Sequence, residues 1–248
     1  MVRTVFFDFG DTLVELNQAL YEEAIYRIAK FTSQSLSAVD LKRAERKEWE
    51  KRKSTEEIIR IQTEEEEYEY WKGFYKGVLT QLRIFSPPAH LLEWLASVRM
   101  DPASFVLFPE VKEILNILQK EGIRLGIISN SFPSAEKILR YLNLERWFHY
   151  AVFSHLEKLA KPDVKIYKRA LEIAGESGAH VLFVDDRPEF VKGALKADIQ
   201  LAYWVNRNGC SCPQGISQIG TLREIIPIVF GEHGDIPGTS SIHRMDQP

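Results

Sequence analysis

Apolar and polar positions follow two rhythms along this chain. Val5, Phe6 and Phe7 form a short apolar run closed by Asp8 and Gly10, which predicts a strand buried on both faces. From residue 16 to about residue 100 the periodic segments have helical spacing. Leu20, Ala24, Ile28 and Phe31 predict a helix over 17–31, and Ser37 opens a long charged helix over about 38–63. Tyr68, Trp71, Tyr75 and Leu79 mark a further helical stripe, which Pro87 and Pro88 break. Leu91, Leu92, Trp94 and Leu95 predict a last helix over 89–98.

The second rhythm starts at Phe108 and Pro109. Val111, Ile114, Leu115 and Leu118 give a helix that stops near Gly122. Strands are predicted over 124–129, 150–154, 181–184 and 201–205, the last taken as the final strand. Helices over 133–142, 164–174 and 188–197 lie between them. Strands and helices alternating this closely imply an α/β fold with a parallel sheet and right-handed crossovers. The stretch from Gly231 has no periodicity and is expected to be a mobile tail.

Composition narrows the class. Apolar content of 45%, charged content of 27% and a net charge of −3 suit a soluble globular chain without a general attraction to nucleic acid or acidic membranes. The run ERKEWEKRK interleaves both signs at three- and four-residue spacing and reads as a solvated helix face. No apolar run approaches the ~20 residues of a membrane span, and no signal peptide is recognisable, so a cytoplasmic protein is expected. Cys210 and Cys212 lack the further ligands of a structural zinc site nearby and read as free thiols; His233 and His243 lie in the tail.

The chemistry sits where apolar strands end. Asp8 follows the first, Ser129 and Asn130 the second, and Asp185 and Asp186 the run 181–184, while Lys161 precedes Pro162, Asp163 and a helix. An open α/β sheet keeps its chemistry at such carboxyl ends. Two adjacent acids at the end of a buried strand repel each other unless a cation balances them. These four ordered motifs resemble those of the haloacid dehalogenase (HAD) superfamily, over about residues 1–20 and 105–207. The type it resembles carries a helical cap after the first strand, and the nearest members are sugar-phosphatase-like, with Asp-x-Gly in motif one.

The resemblance implies a Rossmann-like core over 1–15 and 101–230, a helical cap over 16–100 and the tail over 231–248. It implies Asp8 as nucleophile, forming an aspartyl-phosphate. Ser129, Asn130 and Lys161 would bind the transferring phosphoryl group. Mg2+ would be held by Asp8, Asp185, the Gly10 carbonyl and a supporting Asp186. Thr12 would help hold the loop. Three positions depart from the family pattern: Gly10 stands where a second Asp transfers protons, Val164 where a proline is usual, and Phe190 where Asn is common. Asp11 is the displaced acid that would have to substitute.

The leading expectation is therefore a Mg2+-dependent phosphatase for a small phosphomonoester, such as a sugar phosphate. One alternative is a metal-independent 2-haloacid dehalogenase using Asp8, which Gly10 favours and the acid pair opposes. Another is a phosphate-binding or interaction domain that lost turnover. Spacing does not sort Tyr21, Tyr68, Tyr70, Trp71, Phe74 and Tyr75 into pocket and core, and the substrate is not legible.

Overall fold

Six strands hydrogen-bond in parallel. The computed structural model describes residues 1–52, 55–207 and 209–231, so the tail reading falls outside the described residues except for Gly231. The strands are β1 (Thr4–Phe7), β4 (Arg124–Ser129), β5 (Tyr150–Phe153), β6 (Val181–Asp185), β7 (Leu201–Val205) and β8 (Ser217–Ile219), in the order β5-β4-β1-β6-β7-β8. This is the expected α/β, Rossmann-like architecture. β1 lies centrally because it carries no polar side chain except Thr4, and all four of its residues are buried. Phe7 pairs with Ile127 on one side and Val184 on the other, a register that brings Asp8, Ser129 and Asp185 to one end of the sheet. Gly126 has no Cβ, and one there would collide with the Phe6 ring.

Helices cover both faces. α6 (Val111–Lys120) buries Val111, Ile114, Leu115 and Leu118, and Gly122 at φ 76° lets the chain turn back into β4. α7 (Ser134–Tyr141), α8 (Ser154–Glu157), α9 (Val164–Ala174) and α10 (Pro188–Lys196) follow the strands, and α11 (Ile225–Phe230) ends the described chain. Leu201–Val205 is not the last strand: β8 extends the sheet beyond it. Three residues, two of them polar and exposed, are too few to register as a strand pattern.

The segment between β1 and α6 is built around its own apolar cluster. It contains α1 (Gln18–Ala29), α2 (Ala38–Lys51), α3 (Thr55–Arg60), α4 (Glu64–Gln81) and α5 (Ala89–Met100). The single helix expected over 38–63 is two, since α2 ends at Lys51 and the next begins at Thr55. Arg52, its C-cap, bonds back to Glu48 and on to Glu57. Tyr70, Trp71, Phe74 and Tyr75 are core, whereas Tyr21 and Tyr68 are only partly buried against it. The strands β2 (Val14–Leu16) and β3 (Phe105–Leu107) pair antiparallel where the chain enters and leaves this segment, a clasp too short to be read in advance.

Glu67 of α4 fastens the helical segment to the sheet layer. Fully buried, it accepts from Ser134 N at 2.8 Å, Ser134 Oγ at 2.5 Å and Trp71 Nε1 at 3.1 Å, while Phe132 inserts into the helical cluster. Burial raises its carboxyl above the ordinary glutamate range, and the bonds from Ser134 pull it partly back. Glu67→Ala strands three buried donors and is expected to destabilise the protein by about 3 kcal/mol. A melting temperature lowered by roughly 6–12 °C would register that loss.

Candidate active site

Asp8 leaves β1 with its N–H bonded to Val184 O at 2.9 Å, so the strand ladder continues to this residue. Its side chain meets Lys161, whose Nζ lies 2.5 Å from Asp8 Oδ1 and 2.7 Å from Asp185 Oδ2. Lys161 and Asp185 are fully buried and Asp8 nearly so. The cation between positions 8 and 185 is therefore this ammonium, in part of the space the sequence reading gives to a metal ion. It uses one oxygen of each acid. Asp185 Oδ1 accepts from Arg187 N at 2.9 Å, and Trp204 Nε1 holds Asp186 by its carbonyl at 2.8 Å, leaving the Asp186 carboxylate without a hydrogen bond among the described residues. Oxygens of Asp8, Asp185 and Asp186 all lie within 4.8 Å of one another.

Asn130 does something the sequence does not reveal. Its side-chain amide donates to Lys161 O at 2.8 Å and accepts from Lys161 N at 2.7 Å, fixing the lysine main chain against the end of β4. The amide oxygen and one of the two amide N–H groups of Asn130 are thereby engaged with the Lys161 main chain. Phe190 shields the lysine from above: Lys161 Nζ lies 4.9 Å from its ring centre and 5.6 Å from that of Phe183. The residue that replaces the family's common Asn thus contributes an aromatic face.

The loop after β1 is strained at Asp11, whose φ of 55° is left-handed, a region aspartate tolerates better than most residues. Asp11 N donates to Val14 O at 2.7 Å and closes the turn. Gly10 is exposed, and a Cβ added there meets nothing within 4 Å. Thr12 is buried, but its hydroxyl makes no hydrogen bond among the described residues; its carbonyl accepts from Arg207 Nη2 at 2.9 Å. Arg207 also pairs with Glu110 at 2.7 Å and stacks 3.6 Å from the centre of the Phe108 ring. This arginine anchors the loop from just beyond the carboxyl end of β7, and no local pattern marks it. Ser129 ends β4 with its side chain buried. Beyond it Ser131 exchanges bonds with Ser154 and faces His155 Nδ1 at 3.3 Å, and Gln62 of the helical segment donates to His155 O at 2.8 Å.

The profile of the family described as haloacid dehalogenase-like hydrolase matches residues 2–198. The chain belongs to the haloacid dehalogenase-like hydrolases. A phosphatase of Mycobacterium tuberculosis, MT3486, is 28% identical over 52% of the chain, a stretch that covers 60% of the relative's own length. The haloacid dehalogenase-like hydrolase domain-containing protein 3 of Danio rerio is 28% identical over 78% of the chain and 80% of its own length. The solved structure of L-2-haloacid dehalogenase from Xanthobacter autotrophicus superposes with a TM-score of 0.70 at 17% identity, over 93% of this chain and 99% of the other. That likeness is one of fold.

In this HAD-like hydrolase the acids are set against one another. Burial drives Asp185 and Asp186 upward, and the mutual repulsion of Asp8, Asp185, Asp186 and Asp11 adds to it. Lys161 pulls them down, and for Asp185 the bond from Arg187 N does so as well. Lys161 in turn is held above the ordinary lysine range by Asp185 and Asp8 in spite of its burial. Asp11 is also raised, by the protein crowded around its side of the cleft and by Asp8, although Arg99 opposes this. Cys210 and Cys212 are free and exposed. No described helix is long and apolar enough to cross a membrane.

Proposed function

We propose that this HAD-like hydrolase is a Mg2+-dependent phosphatase of small phosphomonoesters. The observation that carries the reading is the meeting of three carboxylates and one buried ammonium at the carboxyl ends of β1 and β6. One lysine cannot balance three acids, and the remaining donors are all hard oxygens. That set fits Mg2+, which takes one or two carboxylates and completes its shell with water and substrate phosphate. Asp8, Asp185 and Asp186, with the Gly10 carbonyl, would hold it. Bound there, it would neutralise charge on the phosphoryl oxygens and the nucleophile together.

The chain's own residues divide the rest. Lys161 takes Asp8 Oδ1, and Asp8 Oδ2 attacks phosphorus. The ester P–O bond breaks as the phosphoryl group passes to Asp8, and the leaving oxygen takes its proton from Asp11. Water then attacks the aspartyl-phosphate at phosphorus, Asp11 recovers the proton, and inorganic phosphate leaves with Asp8 restored. Lys161, the Ser129 hydroxyl and the Asn130 N–H stabilise the equatorial oxygens. The upward shift of the Asp11 carboxyl, which burial causes first, is in the direction a proton donor needs. Helices α1–α5 serve as the cap that closes the site and selects among substrates. The free thiols of Cys210 and Cys212 suit a cytoplasmic setting.

The first test is release of p-nitrophenol from its phosphate. Activity that appears with Mg2+ and vanishes on chelation supports the reading. Chloride released from 2-chloropropionate without metal, and no phosphatase activity, would replace it with the dehalogenase reading. One observation favours that second reading: Lys161 already pairs with both Asp8 and Asp185.

Metal binding also has a stability signature. Folded-state values of Asp185 and Asp186 lie above their unfolded values, so the metal-free fold holds these protons longer. Their contribution is full below the unfolded carboxylate range and is lost as pH rises through the raised folded values. Mg2+ competes with those protons, so its stabilisation should grow with pH over that window. At a hundredfold excess over Kd it should reach about 2.7 kcal/mol, or roughly 5–10 °C in melting temperature. Thermal unfolding at about pH 5 and pH 8 with and without Mg2+ measures this; an equal shift at both would contradict it.

A further inference from the structure

Arg99, near the end of α5, is a cation without a hydrogen-bonded anion among the described residues. Its guanidinium lies over the Trp71 ring, 4.6 Å from the ring centre, and makes neither a salt bridge nor a hydrogen bond with any described residue. Its Nε is buried and unpaired, a costly state for a charged donor unless something else repays it. The remaining guanidinium N–H groups are not sealed off, since the residue as a whole is only partly buried.

Its neighbours define where those donors sit. Arg99 feels Tyr75, Glu45, Tyr21 and Asp11, and it is the largest single charge acting on Asp11. Trp71 packs edge-on against Phe132, ring centres 5.1 Å apart, so the guanidinium over Trp71 lies by the seam between the helical segment and the chain that follows Ser129. Glu45 is not its partner: its two oxygens accept from Tyr21 Oη at 3.2 Å and Tyr75 Oη at 2.8 Å. Those two hydroxyls are spent on Glu45, so among this group Arg99 alone has donors to spare. Trp71 fixes the plane of the guanidinium from one face and is itself tied through Nε1 to Glu67. A guanidinium preset in this way presents a planar fork, which matches an oxyanion better than a hydroxyl.

We infer that Arg99 selects substrates carrying a second oxyanion, a carboxylate or a further phosphoryl group, in addition to the phosphate that meets Asp8. The inference rests on the phosphatase reading for the position of that first phosphate. Arg99 touches the non-reacting end of the substrate and so sets specificity. The nearby acids Asp11 and Glu45 sharpen the choice, because an anion there is tolerated only through the arginine.

The test uses paired probes that differ at one group. 3-Phosphoglycerate and glycerol 3-phosphate differ by a carboxylate; fructose 1,6-bisphosphate and fructose 6-phosphate differ by a phosphoryl group. Calorimetric binding to the full chain carrying Asp8→Asn keeps turnover from consuming the probe. At least one probe carrying the second oxyanionic group should bind about tenfold or more tightly than its partner, as a charge-assisted pair implies. Which pair shows it identifies the oxyanion. Arg99→Gln should reduce the preference to about twofold or less, and Arg99→Lys should keep part of it with the fold intact. Three results would overturn the inference: no preference with Arg99 present, equal weakening of both probes in Arg99→Gln, or no measurable binding of either probe that carries the second oxyanionic group. Turnover separates the two readings. If the unmodified enzyme hydrolyses no ester but the preference and its loss hold, the phosphatase reading fails and Arg99 keeps its assignment. If esters are hydrolysed without preference, only Arg99 fails.

Discussion

Asp8→Asn is expected to lower phosphatase turnover by at least roughly 10³-fold, because an amide cannot open the reaction by attacking phosphorus. The substitution keeps the shape of the side chain and should leave the fold in place. It also removes one of the two charges that hold Lys161 in its buried position. The lysine retains Asp185 and the main-chain bonds from Asn130, so the local geometry should survive. Steady-state rates together with a circular dichroism spectrum separate loss of the nucleophile from loss of structure. Residual activity within tenfold of the starting enzyme would remove Asp8 from the mechanism.

The second large effect concerns the proton. Asp11→Asn should reduce turnover by about 10²-fold or more, the range for loss of a general acid. An unchanged rate would rule Asp11 out. Position 10 then offers a rescue. The space around Gly10 is open, and its backbone does not lie in the left-handed region, so an aspartate fits without strain. In the Asp11→Asn background, Gly10→Asp should recover about 10²-fold, because it puts a carboxyl where the resemblance places the acid. Rescue identifies the missing function as proton transfer. A dead double variant would show that Asp11 matters for some other reason, such as the left-handed turn it occupies.

The fold was legible to different depths in different places. β1, β4, β6 and β7 could be read because each is a short apolar run ended by a polar residue. β2, β3 and β8 could not, since three residues carry too little periodicity and their pairing is set by distant chain. The charged run near residue 50 suggested one long helix, but Arg52 turns out of α2 to bond Glu48 and Glu57. Asp8, Ser129, Asp185 and Asp186 stood out because they sit at strand ends, and the sheet register accounts for their meeting; Lys161 stood out by the Pro162, Asp163 and helix that follow it, and it reaches the acids from the loop before α9.

What sequence could not show is the support around them. Asn130 holds Lys161 by its main chain, Phe190 lies beside the ammonium, and Arg207 reaches the Thr12 carbonyl from far along the chain. Such partners are chosen by three-dimensional proximity and leave no spacing to read. Glu67 belongs with them. A glutamate in a run of four looks like an exposed first turn, yet this one is buried and caps another helix.

The central claim is that Asp8 becomes phosphorylated. Rapid acid quenching during turnover of a phosphate ester, followed by peptide mass analysis, tests it directly. The account predicts a peptide spanning Asp8 heavier by one phosphoryl group, present only with Mg2+, lost on treatment with hydroxylamine and absent from Asp8→Asn. Phosphate release with no such adduct, or an adduct on any other residue, would contradict it.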